Sequence, residues 1–234
     1  MKCYHIEARD LPDAWFQAVD LCYRNGRNYV ITEGSYAGQQ RRELDYVTIH
    51  VNYPQTRPLL PDIPPQYGIP NPVSDDYVEQ YLPYLMSSEV QENETYTYGS
   101  RLFGWDHSCN PSQIDEIIRK FRRGYGNNQA CATIAIPADI HCSDPPCLRL
   151  VDFRIYSDEE PKRLHMITYW RSWDCWGGLP ANLAGLAHLQ EWIALEIGVE
   201  PGEMIASSKG LHLYDIYWPL AKIRLGESNG NSNP

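Results

Sequence analysis

No stretch of this 234-residue sequence holds an apolar run of about 18 residues, so no membrane-spanning helix is expected. The N-terminus, M-K-C-Y-H-I-E-A-R-D, lacks the apolar region of an export signal. Positive charge is scarce. Twenty Lys and Arg against 30 Asp and Glu leave a net charge of -10, which argues against a nucleic-acid-binding face. Any anionic ligand must therefore be met by a local arginine cluster. Zinc spacing is absent too: His141 and Cys142 have no second ligand pair, so no metal is expected. The seven cysteines are odd in number and, without an export signal, fit a reducing cytosol better than a disulfide framework. These absences predict a cytoplasmic protein with no membrane or nucleic-acid partner. No internal repeat is present, and the length suffices for one large domain. A single domain over 1–225 and a disordered tail over 226–234 are expected.

The pattern predicts mixed α and β structure. Trp15, Phe16, Val19 and Cys22 fall at helical spacing between Asp13 and Tyr23, with Gly26 as a stop. Leu44 to Asn52 alternates as a half-buried strand. Seven prolines between Pro54 and Pro72 exclude regular structure and predict a long loop that is functional or wraps a partner subunit. Ser74 is the expected cap of a helix through Met86, and Ser112 with Asp115 forms a capping box before Ile114, Ile117, Ile118 and Phe121. Strands are expected over 129–136, 148–156 and 163–171. A long helix with Pro180 in its first turn should end at Gly198, followed by a last strand over 204–215. The elements suggest an α+β fold, one sheet with helices mainly on one side.

Several polar residues carry chemistry. Cys147 follows two prolines at a strand start. A free thiol titrates at about 8.5, so a nucleophilic role needs nearby positive charge or a base. The ordinary alternative is a buried small side chain. Arg171 and Ser172 together offer a guanidinium fork and a hydroxyl to an oxyanion. Gly177 and Gly178 allow close backbone approach. An amide such as Asn182 accepts from a ring N–H and donates to a carbonyl, which matches the N3–O4 edge of uracil. His212 and Tyr214 alternate along a strand and share a face.

The order D-P-P-C-L-R, R-S-W-D, G-G-L-P-A-N and H-L-Y resembles thymidylate synthase, most like the short archaeal-type branch. The resemblance implies one large mixed β-sheet with helices mainly on one face and a homodimer packed sheet to sheet. It implies reductive methylation of dUMP to dTMP, with Cys147 adding to C6 of the base. Arg171, Ser172 and Arg42 (in G-Q-Q-R-R) would hold phosphate, Asn182 the base, and His212 and Tyr214 the sugar 3′-hydroxyl. Tyr98 would assist removal of the C5 proton through water. Asp174 and Gly178 would contact the co-substrate, 5,10-methylene-tetrahydrofolate or a methanopterin-type analogue.

Departures from the pattern are specific. Leu148 stands where the family has histidine, Trp170 where it has glutamine, and Asn128 and Gln129 where a partner subunit donates two arginines; Arg122 and Arg123 are the replacement candidates. Glu79 is a candidate for the family's catalytic glutamate. Only 20 residues follow Tyr214, so the family's long closing segment has no counterpart. That leaves two alternatives: a 5-hydroxymethylase acting on dUMP or a related nucleotide, and a pyrimidine-nucleotide-binding protein without turnover.

Overall fold

Asp10 starts the first helix. Its backbone is extended and its side chain accepts the amide of Asp13, and Pro12 lies in the first turn, where its missing N–H costs nothing. This helix, α1, spans Leu11–Asn25, and Trp15, Ala18, Val19 and Cys22 form its buried face. Gly26 ends it where a β-carbon would lie 2.5 Å from the Cys22 carbonyl oxygen. The computed structural model describes residues 1–32, 36–74, 76–92, 94–104 and 112–227.

Six strands form the larger sheet: β1 (Tyr4–Ala8), β4 (Val47–Val51), β5 (Cys131–Thr133), β6 (Leu148–Arg154), β7 (Arg163–Trp170) and β9 (Glu200–Ser208). Their order is β1-β4-β9-β7-β6-β5; β1/β4 and β7/β9 are parallel and the other pairs antiparallel. One row across the sheet, Ile6, Ile49, Ala206, Thr168, Val151 and Ala132, is wholly buried. The adjacent row, Glu7, His50, Ile205, Ile167, Asp152 and Cys131, points the other way and is partly or fully exposed within the single chain. This follows from the two-residue period of strand side chains. The buried face is covered by α1, by α4 (Gln113–Arg123) and by α5 (Gly178–Ile197). At the start of α4 the Ser112–Asp115 capping box forms as the sequence predicts.

The long helix α5 carries the centre of the core. It is buried on most sides, and Gly198 ends it in a left-handed conformation at φ 85°. Gly185 permits close packing with α2 (Tyr77–Met86), because a β-carbon there would meet the Tyr81 ring at 2.7 Å. The proline-rich segment packs on this same chain. Leu59 and Ile63 are buried, Gln55 donates to Gln190, and Arg57 pairs with Glu191, both partners on α5. Ser74 does not cap α2 with its side chain: the helix begins at Tyr77, whose amide bonds to the Ser74 carbonyl.

Two strand expectations also change. The strand expected over 129–136 is only Cys131–Thr133. The strand expected over 204–215 is two strands in different sheets. The chain leaves β9 at Ser208, turns through Lys209 and Gly210, and enters β10 (Leu211–Tyr214) of a second sheet. Gly210 makes the change possible, since a β-carbon there would lie 3.0 Å from the Arg171 carbonyl oxygen. The second sheet has the order β2-β3-β10-β8, with β2 Arg27–Val30, β3 Gln40–Glu43 and β8 Trp173–Asp174. The helices α3 (Tyr98–Phe103) and α6 (Trp218–Arg224) complete the described structure. Gly226 and Glu227 hydrogen-bond back to the end of α6. The rest of the expected tail lies outside the described residues.

Candidate active site

The seam between the two sheets gathers most of the candidate residues. Antiparallel pairing of β6 and β7 places Leu148 opposite Trp170, so the residue before one strand meets the residue after the other. The Arg171 amide donates to the Cys147 carbonyl at 2.9 Å. The Arg171 guanidinium donates from Nε to the Pro145 and Pro146 carbonyls at 3.1 and 3.2 Å, and from Nη2 to the Asp144 carboxylate at 3.1 Å. The two prolines thus present Cys147 and also supply acceptors that aim the arginine. From the second sheet, β10 contributes His212 and Tyr214, β8 contributes Trp173 and Asp174, and β3 contributes Arg41. A cavity of about 540 Å³ lies among them, lined by Cys147, Arg171, Ser172, Asp174, His212 and Tyr214, with Arg41, Tyr36 and Asp144 at its edges.

The electrostatics of this cavity are specific. Burial pushes the Cys147 thiol up, Arg171 pulls it down, and Asp144 pushes it up again; burial prevails and the thiol stays protonated at neutral pH. His212 is 3% exposed. Its Nδ1 lies 2.9 Å from the Gly210 carbonyl oxygen, which only accepts, so Nδ1 carries the proton. Its Nε2 is buried without a partner. Burial lowers the pKa of the ring, leaving Nε2 a bare acceptor for a hydroxyl. Tyr36 stacks over Tyr214 at 4.3 Å, and burial with Asp174 pushes the Tyr214 phenol up to about 12.

Arg42 is not brought to this cavity. Its guanidinium lies between the rings of Tyr23 and Trp218, at 4.4 and 4.6 Å, and donates to the Tyr23 carbonyl. Adjacent strand residues face opposite ways, so its neighbour Arg41 lines the cavity. Arg41 pairs with Glu43 at 2.8 Å and has a buried Nε without a hydrogen-bond partner.

Asn182, the fifth residue of α5, lines a neighbouring cavity of about 400 Å³, walled by Tyr77, Tyr81, Tyr84, Tyr96 and Tyr98. Its Oδ1 accepts from the Trp173 indole and its Nδ2 donates to the Tyr81 hydroxyl, both at 3.1 Å. Tyr98 starts α3, where Thr97 and Ser100 form a capping box. Its hydroxyl accepts the Leu148 amide at 3.4 Å. Burial raises its pKa well above the usual phenol value, with Tyr81 and Cys147 adding to the rise. A protonated phenol therefore stands beside the residue after Cys147. Asp174 accepts from the amides of Trp176, Gly177 and Gly178, so its carboxylate caps α5 from the cavity wall. Gly178 packs against Asp174, with room for a β-carbon only at 3.1 Å.

Cys147, Arg171 and the uncharged acceptor His212 thus line one cavity, and Asn182 lines the cavity beside it. The sequence model of the family described as thymidylate synthase matches residues 76–232. The chain belongs to the thymidylate synthase family. It is 31% identical over 218 residues to a protein of Methanosarcina mazei, covering 93% of this chain and 92% of that protein. It is 29% identical over 234 residues to a protein of Methanothermobacter thermautotrophicus, covering 94% and 97%. Both are named thymidylate synthase only provisionally.

This family member has its own features. Trp170, at the family's glutamine position, stacks on Trp173 at 4.4 Å and 2°. Glu79 is exposed on α2, away from the tyrosine face of that helix. Arg122 is engaged within the chain by the Glu196 carbonyl and carboxylate on α5, while Arg123 is exposed. Among the described residues no group of three or more His, Cys, Asp or Glu is arranged to hold a metal, and no helix is long and apolar enough to cross a membrane. Sequence reasoning missed Arg41, Tyr36, Tyr81 and Trp173. Strand alternation at Arg41–Arg42 was the one usable signal. The others are set by contacts between distant segments.

Proposed function

We propose that this protein converts dUMP to dTMP. The observation that carries the reading is that Cys147 opens into the same cavity as Arg171, Ser172 and His212. Arg171, Ser172 and Arg41 suit a dianionic phosphate, a local positive site on a chain of net charge -10. The bare Nε2 of His212 accepts a sugar hydroxyl, with Tyr214 beside it. Cys147 Sγ adds to C6 of uracil, making C5 nucleophilic, while Asn182 holds the base edge and stabilises the developing oxyanion. Because the thiol is protonated in the free protein, ionisation accompanies nucleotide binding. Tyr98 keeps its proton and orders the water that takes the C5 proton.

A reduced pterin, folate or methanopterin-type, would bring the one-carbon unit and the hydride. The tyrosine-walled cavity fits a flat ring system, with Tyr77 and Tyr81 faces parallel within 18°. Asp174, which lines the adjoining Cys147 cavity, and Gly178, whose amide donates to it, would meet the pterin from that side. We further propose that the exposed face of the six-stranded sheet pairs with a second copy, since Ile167 and Ile205 lie side by side on it. The single domain spans 1–225 on this reading.

Incubation with 5-fluoro-dUMP and a methylene-bearing pterin tests the function. A mass increase localised to Cys147, together with a methylated product from dUMP, is expected. A hydroxymethyl product would point instead to water capture, and reversible binding without an adduct to a nucleotide-binding role.

A further inference from the structure

An asparagine by itself does not separate uracil from cytosine. Its amide can rotate by a half turn, exchanging oxygen for nitrogen at nearly the same positions. In one orientation the oxygen accepts from uracil N3–H and the nitrogen donates to O4. In the other, the nitrogen donates to cytosine N3 and the oxygen accepts from the 4-amino group. Discrimination therefore needs a second group that holds the amide one way round.

The structure holds such a group. The Trp173 indole donates to Asn182 Oδ1 at 3.1 Å, and an indole N–H can only donate. A flipped amide would set its NH₂ against that N–H and leave both donors unpaired, one of them on a buried indole. The second partner does not choose, because the Tyr81 hydroxyl can accept from nitrogen or donate to oxygen. Trp173 cannot step aside either. It is 2% exposed and stacked on Trp170, whose own indole donates to Thr168 Oγ1 at 3.0 Å. With Oδ1 and Nδ2 each spending one bond on the protein, the amide keeps one lone pair and one N–H for a ligand.

We infer that Trp173 is the specificity-determining residue of the site, acting through Asn182 as a positioning residue that commits the amide to uracil. The inference rests on the proposed binding of a pyrimidine nucleotide. Its test is the ratio of dissociation constants for dUMP and dCMP, measured by calorimetry on the full chain. Trp173→Phe keeps a ring on Trp170 and removes the donor. Installing benzothienylalanine at the same position keeps both rings and puts sulfur in place of N–H, so its shape-preserving result stands even if the phenylalanine variant folds poorly. In both, the preference for dUMP should fall by about tenfold, the worth of one hydrogen bond. Tyr81→Phe should keep the ratio within about threefold, because the amide remains oriented by Trp173. A wild-type preference for dUMP that survives in the benzothienylalanine protein would overturn this inference alone. Wild-type protein that binds neither nucleotide would overturn the nucleotide reading and the inference with it.

Discussion

The backbone amide of Arg171 donates to the carbonyl oxygen of Cys147 at 2.9 Å. Antiparallel pairing of β6 and β7 thereby holds a thiol and a guanidinium at one cavity although they lie 24 positions apart in sequence.

Cys147→Ala should abolish both the 5-fluoro-dUMP adduct and turnover, while dUMP affinity stays within about tenfold. The thiol acts in bond formation, not in holding phosphate. Intact-mass analysis and calorimetry check the two halves separately, and an active alanine variant would sink the covalent route.

The neighbouring arginines should behave oppositely. Arg41→Ala should raise the nucleotide KM by about ten- to a hundredfold, the loss of one charge-assisted contact of about 1.5–3 kcal/mol, with little change in Tm. Arg42→Ala should leave KM nearly unchanged and cost about 1–2 kcal/mol of stability through its two ring contacts. Steady-state kinetics and thermal melts on both proteins decide the matter; the reverse pattern would return the phosphate role to Arg42.

Alkylation of Cys147, followed by peptide mass analysis as pH rises, should show a midpoint above that of an ordinary thiol, because burial dominates. Asp144→Asn should move the midpoint down. It removes a charge that disfavours the thiolate and releases Arg171 from its 3.1 Å ion pair. A midpoint that rises or stays put in this variant would contradict the assigned electrostatics.

His212 makes stability depend on acid. Its folded pKa lies below the unfolded value near 6.5, so as pH falls the unfolded chain takes up the proton first. The contribution is complete above about pH 6.5 and is lost as pH falls through the folded value. His212→Gln, uncharged throughout, should flatten the curve of Tm against pH in that window. An undiminished slope would show that other groups carry the acid sensitivity.

Ile167→Asp should convert a dimer to a monomer by placing a charge in the middle of the proposed sheet interface, opposite Ile205. Light scattering at matched concentration reads the change. A wild-type chain that is already monomeric would remove the proposed assembly.

Much of this protein was legible in one dimension, and the reason is locality. The Ser112–Asp115 capping box, Pro180 in the first turn of α5 and Gly198 at its end are each decided by bonds within a few residues. The order of Cys147, Arg171, Ser172, Asn182, His212 and Tyr214 is likewise written in the chain. What those residues do to one another is not. The break between β9 and β10 depends on Gly210 meeting the Arg171 carbonyl. The choice of Arg41 over Arg42 depends on how β3 registers against β10. The side-chain orientation of Asn182 depends on an indole brought to it by a different sheet. Sequence alone set the inventory of groups and the local helix signals, because those rest on neighbours along the chain. Tertiary structure alone decided which groups share a cavity, which way they face and which protons they keep, because strand register, burial and long-range hydrogen bonds have no local code.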